Sequence, residues 1–122
     1  MVVPILKQNE YLIASVQAAL TDSEMLEFQH ELMARLTRLR SQGVIIDVTG
    51  MDVVDSFASR SLLHISQMTR LRGAETVIVG VQPDVAFAMV QLGMTLEGVR
   101  TALDLEEALA YLDSKTRSRP GG

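Results

Sequence analysis

The sequence predicts an α/β fold: a single domain with a mixed, mostly parallel β-sheet and about four helices. Three observations carry that prediction. Short runs of branched apolar residues alternate with longer stretches that repeat apolar residues at helical spacing, in the order β-β-α-β-α-β-α-β-α. The central short runs are almost continuously apolar, as expected of strands covered on both faces. Caps, prolines and glycines punctuate the boundaries between them. Strands that alternate with helices imply parallel pairing through right-handed crossovers, and an opening hairpin makes the sheet mixed.

Residues 2–6 and 11–16 are two branched runs separated by Gln8, Asn9 and Glu10, which predicts a two-stranded hairpin. Thr21 opens the first helix and forms a capping box with Glu24, the hydroxyl and the carboxylate each satisfying a free N–H. Met25, Phe28, Leu32, Leu36 and Leu39 make its apolar stripe. Asp22, Glu24 and Glu27 lie early and Arg35, Arg38 and Arg40 late, which complements the helix dipole. Gly43 reads as the stop signal.

Residues 44–48 are a buried strand and 50–55 a loop. The second helix covers 56–72, with Ala58, Leu62, Ile65 and Met68 on one face and Gly73 at its end. A strand at 75–80 precedes a third helix that starts at Pro83 and Asp84, turns Val85, Met89 and Leu92 inward and stops at Gly93. A short strand at 99–102 leads to a last helix capped by Asp104 with Glu107 three residues on, and with Leu105, Leu109 and Leu112 facing inward. The domain is expected over residues 1–115. Residues 116–122, polar and ending in Pro-Gly-Gly, are expected to form a flexible tail.

The 122 residues suit one domain, and 48% hydrophobic with 21% charged residues argues against a disordered chain. With no cysteine, a disulfide framework, a zinc-thiolate site and a thiol nucleophile are excluded, which fits a reducing cytoplasm. A net charge of −4 argues against nucleic acid or an anionic membrane as partner. The five aromatic residues, two Tyr and three Phe, are scattered and offer single strands no stacking platform. No apolar run approaches the ~20 residues that cross a bilayer. The first residues lack the charged and apolar regions of a signal peptide, so the expected location is cytoplasmic.

Few residues carry chemistry. Neither G-x-G-x-x-G nor G-x-x-x-x-G-K-[ST] occurs, so no loop is built for phosphates and no cofactor is expected. His30 and His64 stand alone on predicted helices without a metal-ligand spacing, so no metal site is expected. His64 lies eight residues along the helix from Ser56. At 1.5 Å per residue that is roughly 12 Å, too far for it to serve that serine as a base.

The informative segment runs from Asp47 to Arg60. A buried strand ends, a loop holding Met51, Val53 and Val54 follows, and Ser56 stands where a helix begins. A helix-start serine is most often an N-cap. The same position projects a side chain at the domain edge, where loops at strand ends carry function. Phosphorylation there adds about −1.5 to −2 charges. Helix N–H groups and Arg60, four residues on, are placed to hold a phosphate, while Asp52 and Asp55 repel it. Such a site changes its outward field without unfolding the domain.

The element order, the strand Ile45-Ile46-Asp47-Val48-Thr49 and the loop Met51-Asp52-Val53-Val54-Asp55-Ser56-Phe57 resemble the STAS domain, shared by sulfate transporters and anti-anti-sigma factors. Pro4-Ile5-Leu6-Lys7, Val81-Gln82-Pro83, Leu92-Gly93 and Thr101-Ala102-Leu103-Asp104-Leu105-Glu106 resemble its RsbS-type subgroup, the single-domain STAS proteins of the bacterial stressosome. The resemblance covers about residues 2–114. It implies a non-enzymatic scaffold that assembles with RsbR-type STAS paralogues, with a homodimer as its unit. That scaffold holds an RsbT-type serine kinase and releases it when the STAS serine is phosphorylated. The accepting serine is then Ser56, directly after Asp55, with Ser59 and Ser61 as minor candidates and Asp52, Asp55, Phe57 and Arg60 as the switch surface. Anti-anti-sigma factors follow Asp-Ser with a second hydroxyl residue and Gly. Phe57 and Ala58 stand there instead, which favours the RsbS type.

Two other functions compete. A STAS module that senses a nucleotide or an anion has only the helix N-terminus in its favour. An enzyme would have to use Ser56 or the carboxylates of Asp47, Asp52 and Asp55, whose plainer reading is a strand-end cap and two solvated loop acids.

Overall fold

The computed structural model describes residues 3–94, 96 and 98–117. Its elements follow the expected order: β1 (Ile5–Gln8), β2 (Tyr11–Ser15), α1 (Asp22–Leu39), β3 (Gly43–Asp47), α2 (Ser56–Leu71), β4 (Glu75–Val79), α3 (Pro83–Gln91), β5 (Arg100–Ala102) and α4 (Leu105–Arg117). The strands form one sheet in the order β1-β2-β3-β4-β5, antiparallel at the hairpin and parallel elsewhere.

The hairpin corrects the expected first strand. Strand β1 runs on through Lys7 and Gln8, because Gln8 pairs with Tyr11 across a two-residue turn. Asn9 makes that turn possible at φ 56°, a left-handed conformation that Asn tolerates better than most residues. Val3 and Pro4 precede the strand, and Val2 lies outside the described residues.

Strand β3 is central, and Val44, Ile45 and Ile46 are each completely buried. Alternation along the strand sends Val44 and Ile46 to one face, where they meet Met25, Phe28, Leu32 and Leu36 of α1 and Leu62 and Ile65 of α2. On the other face Ile45, with Tyr11, Ile13, Val77 and Val79, packs against Ala108 and Leu112 of α4. A sheet covered on both faces is what the continuous apolar runs require.

The capping box at α1 forms as expected, with the Glu24 amide donating to Thr21 Oγ1 (3.1 Å) and the Thr21 amide to Glu24 Oε1 (2.9 Å). The helix ends on Arg40 in a left-handed conformation rather than on Gly43. Gly43 instead opens β3, where a Cβ would come within 2.9 Å of the Leu112 side chain. Three residues expected inward, Leu39, Leu92 and Leu105, are exposed. Each lies at a helix end, where the core no longer reaches. Helix α4 runs to Arg117, two residues beyond the expected domain boundary, and residues 118–122 of the expected tail lie outside the described residues.

A buried hydroxyl pair ties α2 to β4. Thr69 Oγ1 donates to the Ser66 carbonyl (2.9 Å) and lies 2.5 Å from Thr76 Oγ1, which leaves the Thr76 hydroxyl as donor to Thr69. The two partners are therefore not equivalent. Thr69→Val strands the Thr76 hydroxyl in a dry site and is expected to cost about 1–3 kcal/mol. Thr76→Val removes one bond and strands no donor, so about 1 kcal/mol or less is expected. Urea unfolding of both variants checks the order; equal losses would contradict this donor assignment.

Candidate functional site

The site is built where β3 ends. Asp47 Oδ1 accepts from the Thr49 amide (2.9 Å) and from Thr49 Oγ1 (2.6 Å), which turns the chain at the strand end. Gln82 Nε2 donates to the Thr49 carbonyl (2.6 Å) and ties this turn to the start of α3. Gly80, at φ 78°, lies so close that a Cβ would fall 1.9 Å from Thr49 Oγ1, so a side chain there displaces the turn. Asp47 is thus a structural acid, as the plainer sequence reading has it.

Beyond the turn, two apolar side chains hold the loop down. Met51 donates its amide to the Val48 carbonyl (2.9 Å) and buries its side chain, and Val54 is buried three residues later. Between these anchors Asp52 and Val53 face outward, and Asp55 and Ser56 follow them at the surface. Apolar spacing alone therefore sets which loop residues are displayed.

The start of α2 differs from the expected serine cap. Asp55 is the N-cap, and its Oδ1 accepts from the Ala58 amide (2.8 Å). Ser56 is the first helical residue, exposed, and its hydroxyl hydrogen-bonds to none of the described residues. A carboxylate fills the capping role at least as well as a hydroxyl, which leaves Ser56 without a structural duty.

The remaining expected switch residues separate. Arg60 is exposed one turn beyond Ser56, and Asp52 is exposed in the loop. Phe57 is half-buried against the core, so it is mainly a packing residue. Ser59 and Ser61 are each only 4% exposed, on the face of α2 that meets the core. Both residues are far less accessible than Ser56, which is exposed. His30 and His64 are exposed, and no group of three or more metal-ligating side chains occurs among the described residues.

One feature had no clear signal in the sequence. Ser56 lines a groove of about 580 Å³ between the 52–56 segment and α3. Val53, Val54, Val85, Ala88 and Leu92 make it apolar, and Asp52, Asp55 and Asp84 supply carboxylates. The available hint was the apolar character of the loop: Met51 and Val54 are buried, which leaves Val53 outward in the groove.

The division of labour between the two neighbours is testable. Asp55→Ala removes the cap and is expected to cost ~1 kcal/mol. Ser56→Ala is expected to stay within about 0.5 kcal/mol of the parent, as surface changes do. Thermal unfolding of the two variants measures both, and the reverse order would make the serine the structural residue.

Residues 3–108 match the STAS domain family. A serine-to-glutamate variant of RsbS from Moorella thermoacetica has the same fold with a TM-score of 0.82 at 34% identity, over 94% of this chain and 97% of that one. A chain from a structure described as the molecular architecture of the stressosome, a signal integration and transduction hub, matches with a TM-score of 0.76 at 32% identity, over 93% and 99% of the two chains. The RsbT co-antagonist protein RsbRA of Bacillus subtilis is 35% identical over 78 residues, 64% of this chain and 28% of that protein. The match thus spans little more than a quarter of that relative. No helix among the described residues is long and apolar enough to cross a membrane. The mixed, mostly parallel sheet, the strand-loop-serine segment and these likenesses converge: the chain belongs to the STAS domain family and is a STAS protein of the stressosome type.

Proposed function

We propose that this chain is a non-catalytic scaffold that holds an RsbT-type serine kinase and releases it when Ser56 is phosphorylated. In this reading it works in the cytoplasm, as a homodimer assembled with RsbR-type STAS paralogues, and controls a bacterial stress-signalling pathway. One observation carries the reading: Ser56 is exposed at the first position of α2 with its hydroxyl uncommitted, because Asp55 takes the cap. The likeness to RsbS and to a stressosome chain supports the same partners.

The chemistry asks little of this chain. The Ser56 oxygen attacks the γ-phosphorus of ATP held by the kinase, the bond to ADP breaks, and the hydroxyl proton leaves to a base of the kinase. The modified side chain carries about −1.5 to −2 charges beside Asp52 and Asp55. The anchors Met51 and Val54 and the Asp55 cap do not involve the hydroxyl, so the fold persists while the surface changes. Like charges brought together at an interface cost several kcal/mol, which disfavours the kinase-bound state.

Intact mass after incubation with Mg-ATP and a cognate RsbT-type kinase tests this, with Ser56→Ala alongside. One added phosphoryl group on the parent and none on the variant is expected. Equal modification of both, or of neither with a kinase active on another substrate, would remove the switch from Ser56.

A further inference from the structure

Strand β1 is an edge of the sheet. Its outer side follows from the hydrogen bonds of its inner side. The Ser15 amide donates to the Pro4 carbonyl (3.1 Å), so Pro4 faces β2. Backbone groups alternate along a strand. Leu6 and Gln8 therefore also face β2, while Ile5 and Lys7 turn their amides and carbonyls to the open edge. A row of such groups is a template for another strand.

One of these groups is already taken. Arg35, on α1, donates from Nη1 to the Ile5 carbonyl (2.7 Å). Its Nε donates to Glu31 Oε1 (2.8 Å), one turn back on the same helix. Two bonds fix the planar guanidinium across the outer side of β1, a fork that a lysine cannot reproduce.

Without Arg35 the edge fits a second copy of itself. A two-fold axis at Leu6 pairs Ile5 of one copy with Lys7 of the other, and the reverse, in an antiparallel register. Each of these pairs exchanges two hydrogen bonds. Leu6, 66% exposed, then meets its own counterpart at the closest spacing of such a ladder. The acceptor for each Lys7 amide in this register is the Ile5 carbonyl, the group that Arg35 occupies. Alternation also sets the second copy's Lys7 side chain on the face of Ile5, which α1 covers, so Arg35 meets it as a like charge.

We infer that Arg35 is an edge guard: it occupies the Ile5 carbonyl and keeps β1 from pairing with β1 of a second copy. The inference stands apart from the reading of Ser56. Its consequence for the proposed scaffold is that copies held close together make their contacts through other surfaces.

Sedimentation equilibrium of the full chain and its variants tests the guard, with the parent's own association as reference. Arg35→Met keeps the aliphatic stem and removes the guanidinium. It is expected to strengthen self-association by at least about tenfold, because each pairing regains two hydrogen bonds. Two second-site changes are expected to return Arg35→Met to the parent's level. Lys7→Pro removes an outward amide and leaves the β2 ladder intact. Leu6→Lys, at an exposed position, sets two cations opposite each other. Arg38→Met, an exposed position on the same helix with the same charge change, is the control and is expected to associate as the parent does. An Arg35→Met variant that associates like the parent would overturn the guard, whether or not its thermal midpoint falls. So would association that survives both second-site changes, or a control that associates as strongly. A parent whose own association is weakened by Lys7→Pro would also overturn it, since the edge would then be open already.

Discussion

Strand β3 has to be dry on both faces, and the architecture follows from that demand. Burying a residue such as Ile45 or Ile46 contributes about 1.5–3 kcal/mol, but only if something covers each face of the sheet. Helices α1 and α2 cover one face through Leu32, Leu36, Leu62 and Ile65, and α4 covers the other through Ala108 and Leu112. Parallel pairing of β3 with β2 and β4 supplies the remaining backbone partners. Because each crossover returns to the same end of the sheet, the segments after β3 and β4 emerge side by side. The Ser56 loop and the start of α3 are therefore neighbours by topology.

At that end, local chemistry converts position into rigidity. The Asp47 turn, the close approach of Gly80 and the Gln82 bond to Thr49 hold the exit of β3. Met51 and Val54 hold the loop, and Asp55 holds the start of α2. None of these contacts uses the Ser56 hydroxyl. A charge added there changes what a partner meets while leaving the supporting contacts in place, which is a physical basis for a binding switch on a fixed scaffold.

The sequence makes most of this fold legible, because continuous apolar runs and helical stripes report burial directly. It was less reliable at element ends. Gly43 reads as a helix stop yet opens a strand, since what requires glycine there is Leu112, remote in sequence. Leu39, Leu92 and Leu105 fit their stripes but lie beyond the reach of the core. At the site, Ser56 is legible as a residue, but its plainer reading as an N-cap does not hold, because Asp55 is an equally good capping residue one position earlier. Ser59 shows the limit of helical spacing: three residues separate it from Ser56, yet the rotation carries it into the core. The groove joins residues 52–56 to residues 84–94, a juxtaposition that no local pattern encodes.

The central claim is that a phosphate on Ser56 alters binding without altering the fold. The most direct measurement takes one preparation, phosphorylated and not, and records kinase affinity and thermal unfolding midpoint on the same two samples. The account predicts an affinity at least about tenfold weaker with a midpoint unchanged within about two degrees. A midpoint that falls together with the affinity would show that the phosphate acts by loosening the domain, and would contradict the account.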